Sequence, residues 1–196
     1  MLDLRAGLRL VLMALTLAAS LMFASCKSGN SAFDEAEKIN QSASTDVNEI
    51  EKIIQENKSK EIEITRAINA EDYDAAKKEM NDVITAIDRG LEIGQSAAEK
   101  FDRASKLDID PTIKEYLSYR AQFVNKAMEA FKALRKGIVS FRDATGSKDK
   151  AVTEKAKTDV QQASQTFDSL ISEAQRLEDK ADDIARRNPD KIKPGK

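Results

Sequence analysis

Histidine and tryptophan are absent from this chain, and cysteine occurs once in 196 residues. Without histidine there is no imidazole to move protons near neutral pH or to ligate a transition metal. A single cysteine forms no intramolecular disulfide and no Cys/His zinc or haem-attachment motif. Seven glycines and three prolines leave little material for the tight turns of a strand-rich fold. No Gly-rich phosphate cradle and no strained nucleophile turn can be read in the sequence, so enzyme activity has little support. Charge of one sign is lacking too: 32 basic against 34 acidic residues give a net charge of −2, which does not steer the chain toward nucleic acid. What is abundant is Ala, Lys, Glu, Leu and Gln, the residues of helices. The composition therefore predicts a single all-α domain, with no metal and no catalytic set.

Residues 1–25 differ in kind from the rest. Arg5 and Arg9 make a basic start, Leu10 to Phe23 is an apolar run, and Phe23-Ala24-Ser25 stands directly before the lone Cys26. The run is shorter than the ~20 residues of a spanning helix, which makes it a signal peptide. Its ending resembles the lipobox of bacterial lipoproteins. Ala24, Ser25 and Cys26 match that pattern, while Phe23 stands where leucine is usual and keeps only the apolar character. The resemblance covers the leader alone. It implies signal-peptidase recognition through Phe23, Ala24 and Ser25, and diacylglycerol plus fatty acyl (palmitate-like) chains on Cys26, with no other cofactor. It also implies an envelope location. Lys27, where retention at the inner membrane favours Asp, points to the outer membrane, facing periplasm or cell surface. Several acyl chains anchor stably, each buried methylene contributing about 0.8 kcal/mol.

After a flexible spacer at 26–31, apolar residues recur in three- and four-residue steps, predicting an antiparallel up-down-up-down four-helix bundle over 32–187, with long, coiled-coil-like amphipathic helices. The expected helices are 32–68, 72–107, 111–142 and 148–186. The first is imperfect, with Asn40, Asn57 and Glu61 at seam positions, and is the element expected to pair with a second copy. Glu61 as a metal ligand has little behind it, since a di-iron bundle also needs Glu-x-x-His pairs. The second helix opens after Asn69-Ala70-Glu71-Asp72 and includes Tyr73. It also contains Gly90 and Gly94, which permit a bend or a close helix approach. Asp110-Pro111 places an N-cap and a first-turn proline at the start of the third. The fourth carries the cleanest stripe, from Val152 through Ala156, Phe167, Ala174 and Ala181 to Ile184. Residues 188–196 read as a disordered basic tail.

Two surfaces are candidates for contact. Tyr116, Tyr119, Arg120 and Phe123 form an aromatic and arginine group of the kind enriched at interfaces, although the tyrosines are also read as bordering the core. Arg186, Arg187, Lys191, Lys193 and Lys196 are a basic group for a membrane or cell wall, set only against Asp190 in the tail. The chain thus reads as a lipid-anchored, non-enzymatic binding or scaffolding module whose partner is another envelope protein. One alternative is a peptidoglycan tether, since Lys196 ends the chain as in small helical lipoproteins of the Braun type. The other is a small-ligand carrier or enzyme with an inter-helix pocket.

Overall fold

The computed structural model describes residues 21–23 and 31–194. These are nearly all helical. In chain order they form strand β1 (Leu21–Phe23), helices α1 (Ser31–Glu56), α2 (Lys60–Asn69), α3 (Tyr73–Ser105), α4 (Pro111–Ala144) and α5 (Lys150–Arg187), and strand β2 (Ile192–Pro194). The two short strands pair antiparallel, Phe23 opposite Ile192.

The helix ends follow local chemistry. Asp110 caps α4 through its Oδ1, which accepts from the Thr112 N–H at 2.8 Å, and Pro111 is the first helical residue. Asp149 caps α5 in the same way, accepting from the Ala151 N–H at 2.8 Å. Between α2 and α3 the Asp72 N–H donates to the Ala67 carbonyl and the Glu71 N–H to the Ile68 carbonyl, the paired bonds of a Schellman ending. Glu71 stands at the left-handed position of that motif with φ 57°. Asp72 then accepts from the Ala75 N–H and opens α3.

The helix expected over 32–68 is two helices. The Asn57 side-chain amide donates to the Ile53 carbonyl, and Asn57, Lys58 and Lys60 make three-residue turns in place of helical bonds, so the chain breaks at 57–59. Asn57 thus ends a helix rather than sitting in a seam, whereas Asn40 is buried in α1. The stretch expected as disordered from 188 is ordered as far as 194. The Asn188 side chain bonds the Ile184 carbonyl, and the N–H groups of Lys191 and Ile192 return to Asn188.

Two compact units share α1, α3, α4 and α5. Unit 1 is built from Glu51–Leu91 and Glu129–Ile171. Its core joins Ile64, Met80, Ile84, Leu134, Ile138 and Phe167, with Phe131 meeting Phe167 edge to face at 5.7 Å. Each such aliphatic or aromatic side chain contributes about 1.5–3 kcal/mol when fully buried. Charged groups tie consecutive helices of this unit. Lys60 is held by Glu79 and Asp82, and Arg135 grips both oxygens of Asp88 at 2.5 and 2.9 Å. Gly137 lies so close to α5 that a Cβ there would stand 2.7 Å from the Ala163 Cβ. Val152 and Tyr73, expected on buried stripes, are exposed instead. Both stand in the first turn of a helix, where the chain has just left a turn.

Unit 2 is built from 31–50, Glu92–Met128 and 172–194. Its inner surface combines small residues of α1 (Ala36, Ala43) and α3 (Ala97, Ala98, Ala104) with the bulky Phe101, Tyr116, Leu117 and Phe123. Gly94 faces Met128 and Ile50, the close approach its position allowed, while Gly90 has open space. Lys100 pairs with Asp46 at 2.7 Å and Arg103 with Glu35 at 2.5 Å, fastening α3 to α1.

Candidate functional site

The side chains that carry unusual chemistry gather in unit 2. Arg120 is 2% exposed, the largest fully buried side chain among the described residues. Its guanidinium lies over the Phe101 ring at 5.4 Å and the Phe123 ring at 5.7 Å, and its Nη1 stands 3.6 Å from Glu178 Oε1 on α5. Aromatic faces replace part of the lost hydration of a cation, by ~2 kcal/mol for a desolvated contact. Arg120 Nε finds no hydrogen-bond partner among the described residues.

Tyr116 and Asp182 complete the group. Burial pushes the Tyr116 phenol up to about 12, with Asp182 and Glu178 adding to the rise and Arg120 opposing it. Burial also lifts the Asp182 carboxyl above its ordinary range; Arg120 and Arg186 work against this, and Asp179 adds to it. Tyr116 and Arg120 of α4 are buried, whereas Glu178 and Asp182 of α5 are half-buried. As chemistry this cluster sets one buried cation against a carboxylate of the facing helix. It presents no nucleophile beside a base. Among the described residues no group of three or more acidic or cysteine side chains is placed to hold a metal ion.

The contact group expected on α4 needs correction. Tyr116, Arg120 and Phe123 are 1%, 2% and 5% exposed and point into unit 2, so they do not form a surface patch. The physical reason is helical spacing. Tyr116, Arg120 and Phe123 fall on the stripe that also carries Ile113, Leu117 and Val124, and the aromatic rings make room for the guanidinium. Tyr119 alone is half-exposed, with the Lys180 ammonium 5.3 Å from its ring centre.

The basic group is divided. Arg186 and Arg187 are exposed, and both reach Asp183, at 3.6 and 2.6 Å. Lys191 donates to Asp110 Oδ2 at 2.8 Å, and this bond is the main reason that the Asp110 carboxyl sits below its usual range. The Lys193 side chain and Lys196 lie outside the described residues, as do Ala24, Ser25 and Cys26; Phe23 belongs to β1. Glu61 is half-buried on α2.

Reasoning from the sequence missed Glu178 as the partner of Arg120. The available signal was an arginine on an apolar stripe, which requires a carboxylate from a facing helix. Among the described residues no helix is long and apolar enough to cross a membrane. No protein-family model, no curated protein and no solved structure matches the chain.

Proposed function

We propose that this chain is a lipid-anchored lipoprotein of the bacterial envelope, outer membrane in preference to inner, and that its helical domain is a non-enzymatic binding or scaffolding module for another envelope protein. The observation that carries the reading is the leader ending Phe23-Ala24-Ser25-Cys26, with the only cysteine of the chain at the position where acylation takes place. The helical domain that follows Cys26 suits a tethered module. Apart from the buried Arg120, its charged residues lie toward the helix surfaces, and several are tied in pairs such as Asp88 with Arg135 and Asp46 with Lys100.

The arrangement we infer is an antiparallel up-down-up-down four-helix bundle, with α1 and α2 together forming the first arm. Short turns support it, as do the polar ties between successive helices: Lys60 with Asp82, Asp88 with Arg135, and Ser140 donating to Asp159 at 2.6 Å. Removal of the leader before Cys26 takes β1 away from β2, and Lys191 then remains as a fastening of the C-terminal segment to Asp110. Engagement of Arg186, Arg187 and Lys191 with their own carboxylates weakens the case for a membrane- or wall-binding tail. The aromatic we assign to a partner is the half-exposed Tyr119, beside Lys180.

Fatty-acid labelling of growing cells tests the anchor. Label is expected in the wild-type chain, and a Cys26→Ala chain is expected to carry none and to keep its leader. An unlabelled wild-type chain cleaved elsewhere would sink the reading. A photoreactive residue at position 119 tests the partner: a single reproducible envelope protein supports the module, whereas adducts with muropeptides favour the wall tether.

A further inference from the structure

The helices of unit 2 are held unequally. Within it α4 buries Ile113, Tyr116, Leu117, Phe123, Val124 and Met128. Arg120 of the same helix lies over the Phe101 ring of α3 and against Glu178 of α5, so these three helices share a core of bulky side chains. The seat of α1 is different. Its fully buried residues are Ala36, Asn40, Ala43, Ser44, Val47 and Ile53, and most of them are small or polar. Small side chains remove little apolar surface from water, and a buried amide or hydroxyl gains little over its bonds with water. Charge does much of the fastening: Asp46 pairs with Lys100 of α3, and Glu35 with Arg103. The arm also has a joint. Lys58 and Ser59 are exposed, and the Asn57 side chain closes α1 on the Ile53 carbonyl. Beyond the joint, α2 is fastened separately to α3 by Lys60 with Glu79 and Asp82.

We propose that α1 is an exchangeable arm: it swings out at 57–59 and seats on α3 of a second copy, whose own α1 makes the same contact in return. The contacts that seat α1 in the closed chain are available in that pair, because the same segment occupies the same surface. What separates the two states is the conformation of the joint and the association itself. The exchange is reciprocal, so it closes at two copies and does not grow into a chain. The bulky core of α3, α4 and α5 stays in place while the arm is out, since the part that leaves is the one with the least apolar burial. This inference goes beyond the binding of another envelope protein and does not depend on acylation of Cys26.

The test uses the ion pair between Asp46 and Lys100. An Asp46→Lys chain sets two ammonium groups against each other when closed, and a Lys100→Asp chain sets two carboxylates. Exchange of arms between one copy of each brings opposite charges together at both seats. Mixed at low salt in detergent, the two full-length variants are expected to form a one-to-one pair at concentrations roughly tenfold or more below those at which either pairs alone. High salt should weaken the preference. A mixture that pairs no better than its components overturns the proposal. Wild-type chain gives a second reading that does not require the variants to fold. Batches grown on light and on heavy nitrogen are incubated together, and a carbodiimide joins Asp46 to Lys100 as an amide. Cross-linked peptides with one half from each batch, in a proportion that grows with protein concentration, are expected. Peptides from single batches only, although the amides of 36–47 have exchanged with solvent, overturn the proposal. So does hydrogen exchange at 36–47 that is no faster than at 116–124.

Discussion

Lys191 donates to Asp110 across 81 positions of the chain, onto the same carboxylate that caps α4. One oxygen holds the Thr112 N–H and the other holds the ammonium, with Lys191 also 3.4 Å from the Thr112 hydroxyl. The end of the chain is therefore fastened to the start of a helix in the middle of it.

The two roles of Asp110 separate by substitution. Asp110→Asn keeps a capping oxygen and removes the charge, whereas Asp110→Ala removes both and should be the more destabilising by about 1 kcal/mol, the value of an N-cap. Because Asp110 is lowered in the folded state, its electrostatic contribution is present above the ordinary aspartate range and is lost as pH falls through the folded value. Lys191→Met should thus lower the Tm slightly at pH 7, less in high salt, and not at all once acid has protonated the Asp110 carboxyl of the folded chain. Unfolding curves of the three variants at pH 7 and in acid check this. An equal loss for Asn and Ala at position 110 would show that the cap contributes nothing.

Glu71 occupies a left-handed position at φ 57°, where a side chain meets its own backbone. Glu71→Gly should stabilise the chain by about 1 kcal/mol, while Glu71→Ala should give no gain. Gly146 is the converse case. Its φ is 78°, and a Cβ would stand 3.0 Å from the Tyr73 ring, so Gly146→Ala should destabilise by about 1 kcal/mol or more. Calorimetry of these variants gives the signs directly.

Helix boundaries with a charged cap and a proline, such as Asp110-Pro111, were plain in the sequence because both residues act locally. The break at 57–59 was not, since Asn57-Lys58-Ser59 contains no strong breaker and the apolar steps resume at Ile64. Arg120 shows the limit most clearly. Its place on the α4 stripe could be read from spacing, but its burial depends on Phe101 of α3 and Glu178 of α5, which only tertiary structure brings to it. Ile192 is a similar case: a lone apolar residue in a basic tail carried no periodic signal, yet it is fully buried.

The glycines of α3 and α4 should respond oppositely to the same change. Gly90 is helical, and a Cβ there meets nothing within 4 Å, so Gly90→Ala removes backbone freedom from the unfolded chain and should stabilise by about 0.5–1 kcal/mol. At Gly137 the added carbon would press on the Ala163 Cβ at 2.7 Å, with the Val160 Cα at 3.7 Å behind it. Neither neighbour has a flexible end that could swing aside, so α4 and α5 must separate locally, at a cost of about 1–3 kcal/mol. Gly137→Ala paired with Ala163→Gly should recover most of that loss, because the substituted carbon moves from one helix to the other and the approach is restored. Urea midpoints of the four chains decide it: a double variant no more stable than Gly137→Ala alone would show that some other feature of Gly137 sets the helix spacing.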